Sequence, residues 1–248
     1  GIRHFRLPTT TLGQADAGVG VKNGVNFHEK KNFVGTFAPP FAVINDLQLL
    51  ASLPDVHMRN GYIEAIKVAL IRDSGFFHWI EDHVAELNNF EPAALEELVY
   101  RCAKHHVAYI ATSGDPFEMG SVRPLDFGHW AAHKLEQLSK FELSHGEAVA
   151  IGIAIDTLYS EEMGYLDSTS AQRILALLRQ LHFETYSDFL EKKNGGRFPY
   201  ILEGLEEFRE HLGGLLTITL LKNIGSRFEV HEMDTDIVLR SIQRLKTL

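Results

Sequence analysis

With 248 residues, 45% of them hydrophobic and 23% charged, the chain has the composition of a globular protein with one large domain or two small ones. Its formal net charge of −9 argues against a broad nucleic-acid surface, which needs a basic face, although a local lysine cluster can still bind a small anion. A single cysteine, Cys102, excludes a disulfide framework and is expected to fill the core. No signal-peptide core or long apolar run is present, so we expect a cytoplasmic protein without a membrane span.

The first fifty residues differ in composition from the rest of the chain. Glycine, threonine, asparagine and proline are frequent there, which predicts loops and strands. The predicted strands are Ile2–Leu7, Asn32–Phe37 and Phe41–Ile44. We therefore expect a boundary near residue 53, between a strand-and-loop segment, residues 1–53, and a helical domain, residues 54–248.

From Pro54 onward, apolar residues recur at the spacing of helices. Helices are predicted at Val56–Arg72, Phe76–Leu87, Pro92–Thr112 and Leu125–Ser139. Ser144 and Glu147 form a capping-box pattern just before Ala148, and the helix that follows is apolar on nearly every face, so it should be buried. Further helices are predicted at Ser168–Leu181, Asp188–Lys193, Tyr200–His211 and Asp234–Leu245, with a β-hairpin of Leu215–Leu221 and Arg227–His231. The fold is thus predicted to be mainly α.

Two histidines, His129 and His133, stand four residues apart after Gly128. Residues at that spacing share a helix face, so both imidazoles are expected to point the same way. Such a pair suits a metal ion, or one metal ligand and one proton carrier. The alternative is a pair of half-exposed histidines on an amphipathic helix.

His145 and Glu64 are two further candidate ligands. His145 is expected in the first turn of the buried helix, where the helix dipole favours the neutral, metal-binding imidazole. The alternative is a polar cap residue. Glu64 and Lys67 stand three residues apart in an otherwise apolar stretch, and a buried carboxylate needs a partner or a metal. The alternative for this pair is an ion pair on the surface.

The segment from Asp16 to Asn26 is rich in glycine and contains Lys22, and Lys31 and Asn32 follow it. Glycine lets backbone N–H groups approach a ligand, and lysine adds positive charge, so the segment is a candidate anion site. Its spacing does not match a nucleotide-binding P-loop. The alternative is a solvent-exposed hairpin.

Taken together, the order and spacing of these motifs resemble those of the 3-dehydroquinate synthase family and the wider superfamily of sugar-phosphate cyclases. The matching stretches run in the family's order between residues 3 and 165. They are Leu7–Thr10, Asp16–Lys22, Lys31–Phe37, Ile63–Lys67, Asp115–Glu118, Phe127–His129 and His145–Val149.

The resemblance implies that residues 54–248 form the multi-helical metal- and substrate-binding domain of that fold. Residues 1–53 would be the C-terminal remnant of an α/β NAD-binding domain. Because the sequence begins at Gly1 without an initiator Met, we expect the NAD-binding half to precede Ile2 in a longer protein, and these 248 residues alone to be inactive.

In that family a divalent metal, usually zinc and here with cobalt as the alternative, is held by one glutamate and two histidines. These match Glu64, His129 and His145. Three such ligands leave coordination positions open for substrate. The resemblance further implies pocket or catalytic roles for Asp16, Lys22, Lys31, Asn32, Lys67 and Glu118. It also implies proton movement near the substrate phosphate by His133, a few NAD contacts from Thr10 and Ser52, and a homodimer for the full-length protein.

The family's reaction begins with hydride transfer from a ring hydroxyl to NAD. The resulting ketone acidifies the neighbouring C–H, so that phosphate leaves by elimination. The hydride then returns, and the ring-opened enolate closes by an intramolecular aldol step. For this chain the resemblance therefore implies a carbon–oxygen lyase that acts on a small anionic C7 sugar phosphate.

Three positions depart from the family pattern. Asp126 stands where dehydroquinate synthases have asparagine; this resembles cyclases that act on sedoheptulose 7-phosphate, although those commonly lack a second histidine such as His133. Arg123 lies one place away from a family arginine, and Arg209 stands for a family lysine. All three departing residues are expected to bind substrate. With the stretch Ser113–Gly120, the mixture most resembles the cyclases encoded in bacterial ebo gene clusters, whose substrate the resemblance does not supply.

Two other functions stay open. A metal-dependent alcohol or polyol dehydrogenase of the same superfamily would share the two-half architecture. A simple alcohol, however, needs no set of lysines such as Lys22, Lys31 and Lys67. The second alternative for these 248 residues is a metal-binding domain without catalytic activity.

Overall fold

The computed structural model describes residues 2–27, 30–113, 122–193, 195 and 198–248, without the side chains of residues 26, 27, 30–33 and 37. The chain forms two compact units. One consists of Gly1–Ala65 with Phe90–Met119, and the other of Ile66–Asn89 with Gly120–Leu248. The predicted boundary near residue 53 stays a prediction. In the described part of the chain, no helix has both the length and the hydropathy that crossing a membrane requires.

Short strands, one long helix and the first part of another build the first unit. Strand β1 (Phe5–Arg6) pairs in parallel with β4 (Ala42–Val43), and β2 (Lys22–Phe27) pairs antiparallel with β3 (Lys30–Phe37). The β2–β3 hairpin occupies the glycine-rich segment for which the sequence left an anion site or a hairpin open. A π-helical turn, Gly13–Ala17, packs against helix α4 (Pro92–Thr112), and a 3-10 helix spans Leu47–Leu50.

Helix α1 (Asp55–Arg72) is buried without interruption from Asn60 to Ile71. Its early part lies directly on backbone. A Cβ at Gly61 would be 2.5 Å from the carbonyl carbon of Thr11, so only glycine permits this approach. The Thr11 hydroxyl also lies 2.7 Å from the Met58 carbonyl oxygen. These contacts fix the stretch of α1 that carries Glu64.

Helices α5 (His129–Leu138) and α6 (His145–Glu162) pack against each other in the second unit. Strand β5 (Ile218–Asn223) packs on α6 and pairs antiparallel with β6 (Ser226–Val230), where the sequence predicts a hairpin. The remaining helices of this unit are α2 (Ser74–Asp82), α3 (Val84–Asn88), α7 (Ser168–Gln180), α8 (Glu203–His211) and α9 (Thr235–Thr247).

The N-terminus of α6 has the cap that the sequence predicts. The Ser144 hydroxyl accepts a hydrogen bond from the Glu147 N–H, and the Glu147 carboxylate accepts the Ser144 N–H at 2.8 Å. The helix begins at His145 and is buried throughout from Ala148 to Ser160. The predicted capping box and the predicted burial are therefore confirmed.

Helix boundaries differ from the prediction where a backbone conformation breaks the pattern. The helix predicted from Leu125 begins only at His129, because its N-cap residue Gly128, with φ 78°, separates it from the preceding 3-10 helix, Pro124–Asp126. The helix predicted over Phe76–Leu87 is divided into α2 and α3 at His83. The segment predicted as Asp188–Lys193 forms only a 3-10 turn, Asp188–Glu191.

Candidate functional site

His129 is the first residue of α5, and its imidazole is buried. The Nδ1 atom lies 3.1 Å from the Phe127 carbonyl oxygen. A carbonyl can only accept, so Nδ1 carries the proton and Nε2 keeps its lone pair. Burial, and after it the charge of Lys67, hold the pKa of His129 well below its ordinary value. His129 is therefore neutral at pH 7, which is the form that binds metal.

His145, the first residue of α6, lies beside His129, with ring centroids 5.4 Å apart. Its Nδ1 atom is 3.3 Å from the carboxylate Oε1 of Glu136, a buried residue of α5. Metal-binding histidines are commonly oriented in this way by a carboxylate or a carbonyl on the second ring nitrogen. His129 thus has Nδ1 hydrogen-bonded, and His145 has Nδ1 beside a carboxylate, which leaves Nε2 of each ring for a ligand.

Glu64 and Lys67 are 0% and 1% exposed, so the alternative of a surface ion pair is wrong. In the second unit, His129 and His145 each have Nε2 left for a ligand, and Glu64 supplies a buried carboxylate in the first unit. Two imidazole nitrogens and one carboxylate oxygen are the donor set of many catalytic zinc sites, and they leave a position open for substrate. The chemistry of these side chains fits a divalent metal.

His133 lies one turn after His129, with ring centroids 5.5 Å apart. On its other side lies the ring of His211 from α8, at 6.3 Å, and the Nη1 atom of Arg123 is 3.1 Å from Nε2 of His211. The structure therefore brings Arg123 toward His133 through a histidine that the sequence analysis missed. His211 belongs to a separate helix far along the chain, and no spacing rule connects the two.

Arg209, the α8 residue expected to bind substrate, has other partners. Its guanidinium forms an ion pair with Glu206 on the same helix and donates to the Gly214 carbonyl oxygen at 3.0 Å. The side chain is half-exposed. Its role in substrate binding stays a prediction.

Asp16 lies in the π-helical turn of the first unit, where its carboxylate Oδ1 is 3.1 Å from Nε2 of His106 on α4. The other ring nitrogen of His106 lies 2.9 Å from the Cys102 carbonyl oxygen. Burial alone would lower the pKa of His106, but the Asp16 carboxylate and Cys102 together outweigh it, and the pKa lies well above its ordinary value. Cys102 itself is fully buried, as predicted. His106 was missed because it shares no motif with Asp16.

The other predicted site residues differ in burial and in how much of them the structure describes. Thr10 accepts the Gly13 N–H on its hydroxyl at 3.0 Å. Lys22 and Ser52 are exposed, and Asp126 is half-buried at the end of its 3-10 helix. Lys31 and Asn32 belong to β3, but their side chains lie outside the described part of the structure, and Glu118 lies outside the described residues altogether.

Comparison with known sequences decides the family. A model described as 3-dehydroquinate synthase C-terminal matches residues 61–196, and one described as 3-dehydroquinate synthase N-terminal matches residues 1–60. The chain belongs to the 3-dehydroquinate synthase family. The resemblance read from the motifs is thereby confirmed.

Among relatives in this family, the 3-dehydroquinate synthase of Nitrosococcus oceani is 33% identical over 98% of this chain. That of Halorhodospira halophila is 34% identical over 91% of it. The chain spans only 66% and 62% of the lengths of these two relatives.

Two solved structures share the fold. ValA (2-epi-5-epi-valiolone synthase) from Streptomyces hygroscopicus, solved with NAD⁺ and Zn²⁺ bound, is 29% identical, with a TM-score of 0.88 over 99% of this chain and 66% of its own. A 2-deoxy-scyllo-inosose synthase complexed with carbaglucose-6-phosphate, NAD⁺ and Co²⁺ is 21% identical, with a TM-score of 0.79 over 98% of this chain and 67% of its own. The predicted mainly helical cyclase fold is therefore confirmed at the level of the overall architecture.

Proposed function

We propose that the full-length protein is a metal- and NAD-dependent sugar-phosphate cyclase. It eliminates phosphate from a C7 sugar phosphate and closes a carbocycle by an intramolecular aldol step. The observation that carries the proposal is the pair of adjacent histidines, His129 and His145, whose ring centroids are 5.4 Å apart and whose Nδ1 atoms each lie near an oxygen acceptor. Membership of the family, and the NAD⁺ and Zn²⁺ bound to ValA, support it.

Glu64, His129 and His145 would hold the metal, with zinc favoured by the two imidazoles and cobalt as the alternative. When bound, the metal polarises hydroxyl and carbonyl oxygens, and NAD accepts and returns a hydride. The protein's own contribution begins with the two histidines. Since Nδ1 of each faces an oxygen acceptor, their rings are oriented before any metal arrives.

Among the charged groups that act on His129, Lys67 has the largest effect. Its side chain is buried in α1, and its charge acts directly on His129. A buried ammonium is a strong donor to a substrate oxyanion. It also keeps His129 from being protonated, because a second positive charge beside it is unfavourable. We propose that Lys67 binds substrate and keeps the ligand histidine neutral.

His133 is proposed to carry protons near the substrate phosphate. Its neighbour His211, and Arg123 in contact with His211, supply donors suited to a phosphate group. Asp16, oriented by His106, is proposed as a further catalytic carboxylate. The roles of the other pocket residues rest on the family resemblance. They are Lys22, Lys31, Asn32, Glu118, Asp126, Arg209, Thr10 and Ser52.

The decisive assay uses the full-length protein, because the chain spans only about two thirds of its relatives. Zinc-loaded protein with NAD is incubated with heptulose phosphates, and inorganic phosphate is measured. Release of phosphate with no net NADH supports a cyclase. NADH formation without phosphate release indicates the dehydrogenase alternative, and neither product indicates a non-catalytic metal-binding domain. A cytoplasmic homodimer is part of the same proposal, and the 248 residues alone are proposed to be inactive.

A further inference from the structure

Asp156 is a charged residue inside the apolar stretch of α6 and is 0% exposed. A buried carboxylate is costly unless hydrogen bonds satisfy it. Here both oxygens accept one: Oδ2 takes the backbone N–H of Gly128 at 3.1 Å, and Oδ1 takes the indole N–H of Trp130 at 2.8 Å. The two donors come from the residues on either side of His129.

One peptide group connects Asp156 with His129. The N–H of the Phe127–Gly128 peptide donates to Asp156, and the C=O of the same peptide accepts from Nδ1 of His129 at 3.1 Å. Hydrogen bonds at the two ends of one peptide reinforce each other, because each polarises the group that forms the other. The orientation of this peptide therefore sets the orientation of the His129 ring.

The same peptide region lies directly on the backbone of α6. A Cβ at Gly152 would be 2.0 Å from the Gly128 carbonyl oxygen, and a Cβ at Gly128 would be 2.8 Å from the Ile153 nitrogen. Gly128 also has φ 78°, a conformation that side chains disfavour. Backbone contact fixes the distance between α5 and α6 here, and the Asp156 carboxylate fixes the rotation of the peptide.

We propose that Asp156 is a positioning residue for His129, which it orients through the Phe127–Gly128 peptide so that Nε2 is directed to the metal. The inference rests on the proposed function, since it takes His129 as a metal ligand. It adds a residue of α6, eleven positions beyond His145 in sequence, to the set that builds the site. The Trp130 indole N–H donates to the Asp156 carboxylate, and the same carboxylate accepts the N–H of the Phe127–Gly128 peptide.

The test measures affinity for Zn²⁺ and the visible absorption of bound Co²⁺ in the full-length protein. Asp156→Ala is expected to weaken Zn²⁺ binding by about 10–100-fold, as the loss of an outer partner typically does, and to change the Co²⁺ spectrum. Trp130→Phe removes only the indole donor, which leaves the Asp156 carboxylate with one of its two hydrogen bonds, and should weaken Zn²⁺ binding less than Asp156→Ala does. Leu158→Ala shortens a buried side chain within one turn of Asp156 on α6 and is the control for lost stability.

Leu158→Ala should lower Tm without changing Zn²⁺ affinity at temperatures where it is folded. If Asp156→Ala behaves like this control, the positioning role is wrong. If Asp156→Ala fails to fold, the double variant Asp156→Val with Trp130→Phe replaces it, because that variant leaves no indole donor unsatisfied. Wild-type Zn²⁺ affinity in the double variant overturns the proposal, and weakened Zn²⁺ affinity supports it. His129→Ala separates the two proposals, because retained zinc in that variant refutes the ligand assignment itself.

Discussion

The carboxylate of Glu136 lies 3.3 Å from Nδ1 of His145, although the two residues belong to different helices. Glu136 stands about two turns after His129 on α5. One helix therefore supplies a candidate metal ligand and also the group that orients a second candidate ligand on α6. The relation explains why two short motifs separated by a loop can form one site.

Glu136→Ala is expected to weaken Zn²⁺ binding by about 10–100-fold, because His145 loses the partner that orients its ring. Glu142→Ala, which removes an exposed carboxylate nearby in sequence, is the matched control and should bind as the wild type does. Competition with a chromophoric chelator measures both affinities. Equal affinity in the two variants would mean that Glu136 does not orient His145.

Lys67→Met should leave the metal bound and reduce phosphate release by about 100-fold or more, the usual cost of removing one donor to a developing oxyanion. Methionine fills the same buried space without the charge. Lys104→Met, at an exposed position of α4, is the control. Elemental analysis and steady-state kinetics are compared for both. A Lys67→Met variant with wild-type turnover would remove the lysine from the mechanism.

Gly152→Ala should destabilise the fold by about 3 kcal/mol or more, because its Cβ would be 2.0 Å from the Gly128 carbonyl oxygen and the helices would have to separate. Gly75→Ala in α2 meets nothing closer than 3.3 Å and should change stability by less than about 1 kcal/mol. Urea denaturation followed by circular dichroism measures both. Similar midpoints for the two variants would argue against backbone contact between α5 and α6.

Asp156 gives a defined pH dependence. Burial raises its pKa to about 7, and the hydrogen bonds from Trp130 and Gly128 only partly oppose the shift. A carboxyl group in the unfolded chain titrates near about 3.9. Between these values the folded state binds more protons than the unfolded state, so the free energy of unfolding falls as the pH rises and levels off above about 7.

Asp156→Asn should lack this slope. The measurement is urea denaturation of metal-free wild type and variant from about pH 5 to pH 8, a range that lies mostly between the two pKa values. The histidines contribute to both curves, so the difference in the free energy of unfolding between the two proteins reports on Asp156. Parallel curves would show that the carboxyl titrates near its ordinary value.

The sequence predicts those parts of the site that depend on local spacing. The four-residue interval between His129 and His133 places both rings on one helix face, and the capping box at Ser144 places His145 at the start of a buried helix. Family motifs extend this to Glu64. In each case the information lies within one turn of one helix.

Contacts between segments that are far apart in sequence cannot be predicted from such local spacing. Asp156 binds the N–H of Gly128, His106 binds Asp16, and His211 lies against His133, each across a long stretch of chain. The only sign of Asp156 in the sequence is a carboxylate inside an apolar helix, which indicates a buried partner but not its identity. The left-handed φ of Gly128 was likewise not predictable, because glycine tolerates that conformation without requiring it. As a result, α5 begins later than predicted.

Metal content of purified full-length variants tests the central claim most directly. His129→Ala and His145→Ala are expected to reduce bound zinc to near background, since each removes one of the three proposed ligands. His133→Ala removes a neighbouring imidazole on the same helix face and should keep its zinc while losing turnover. Undiminished zinc in His129→Ala or His145→Ala, measured by elemental analysis, would contradict the three-ligand site.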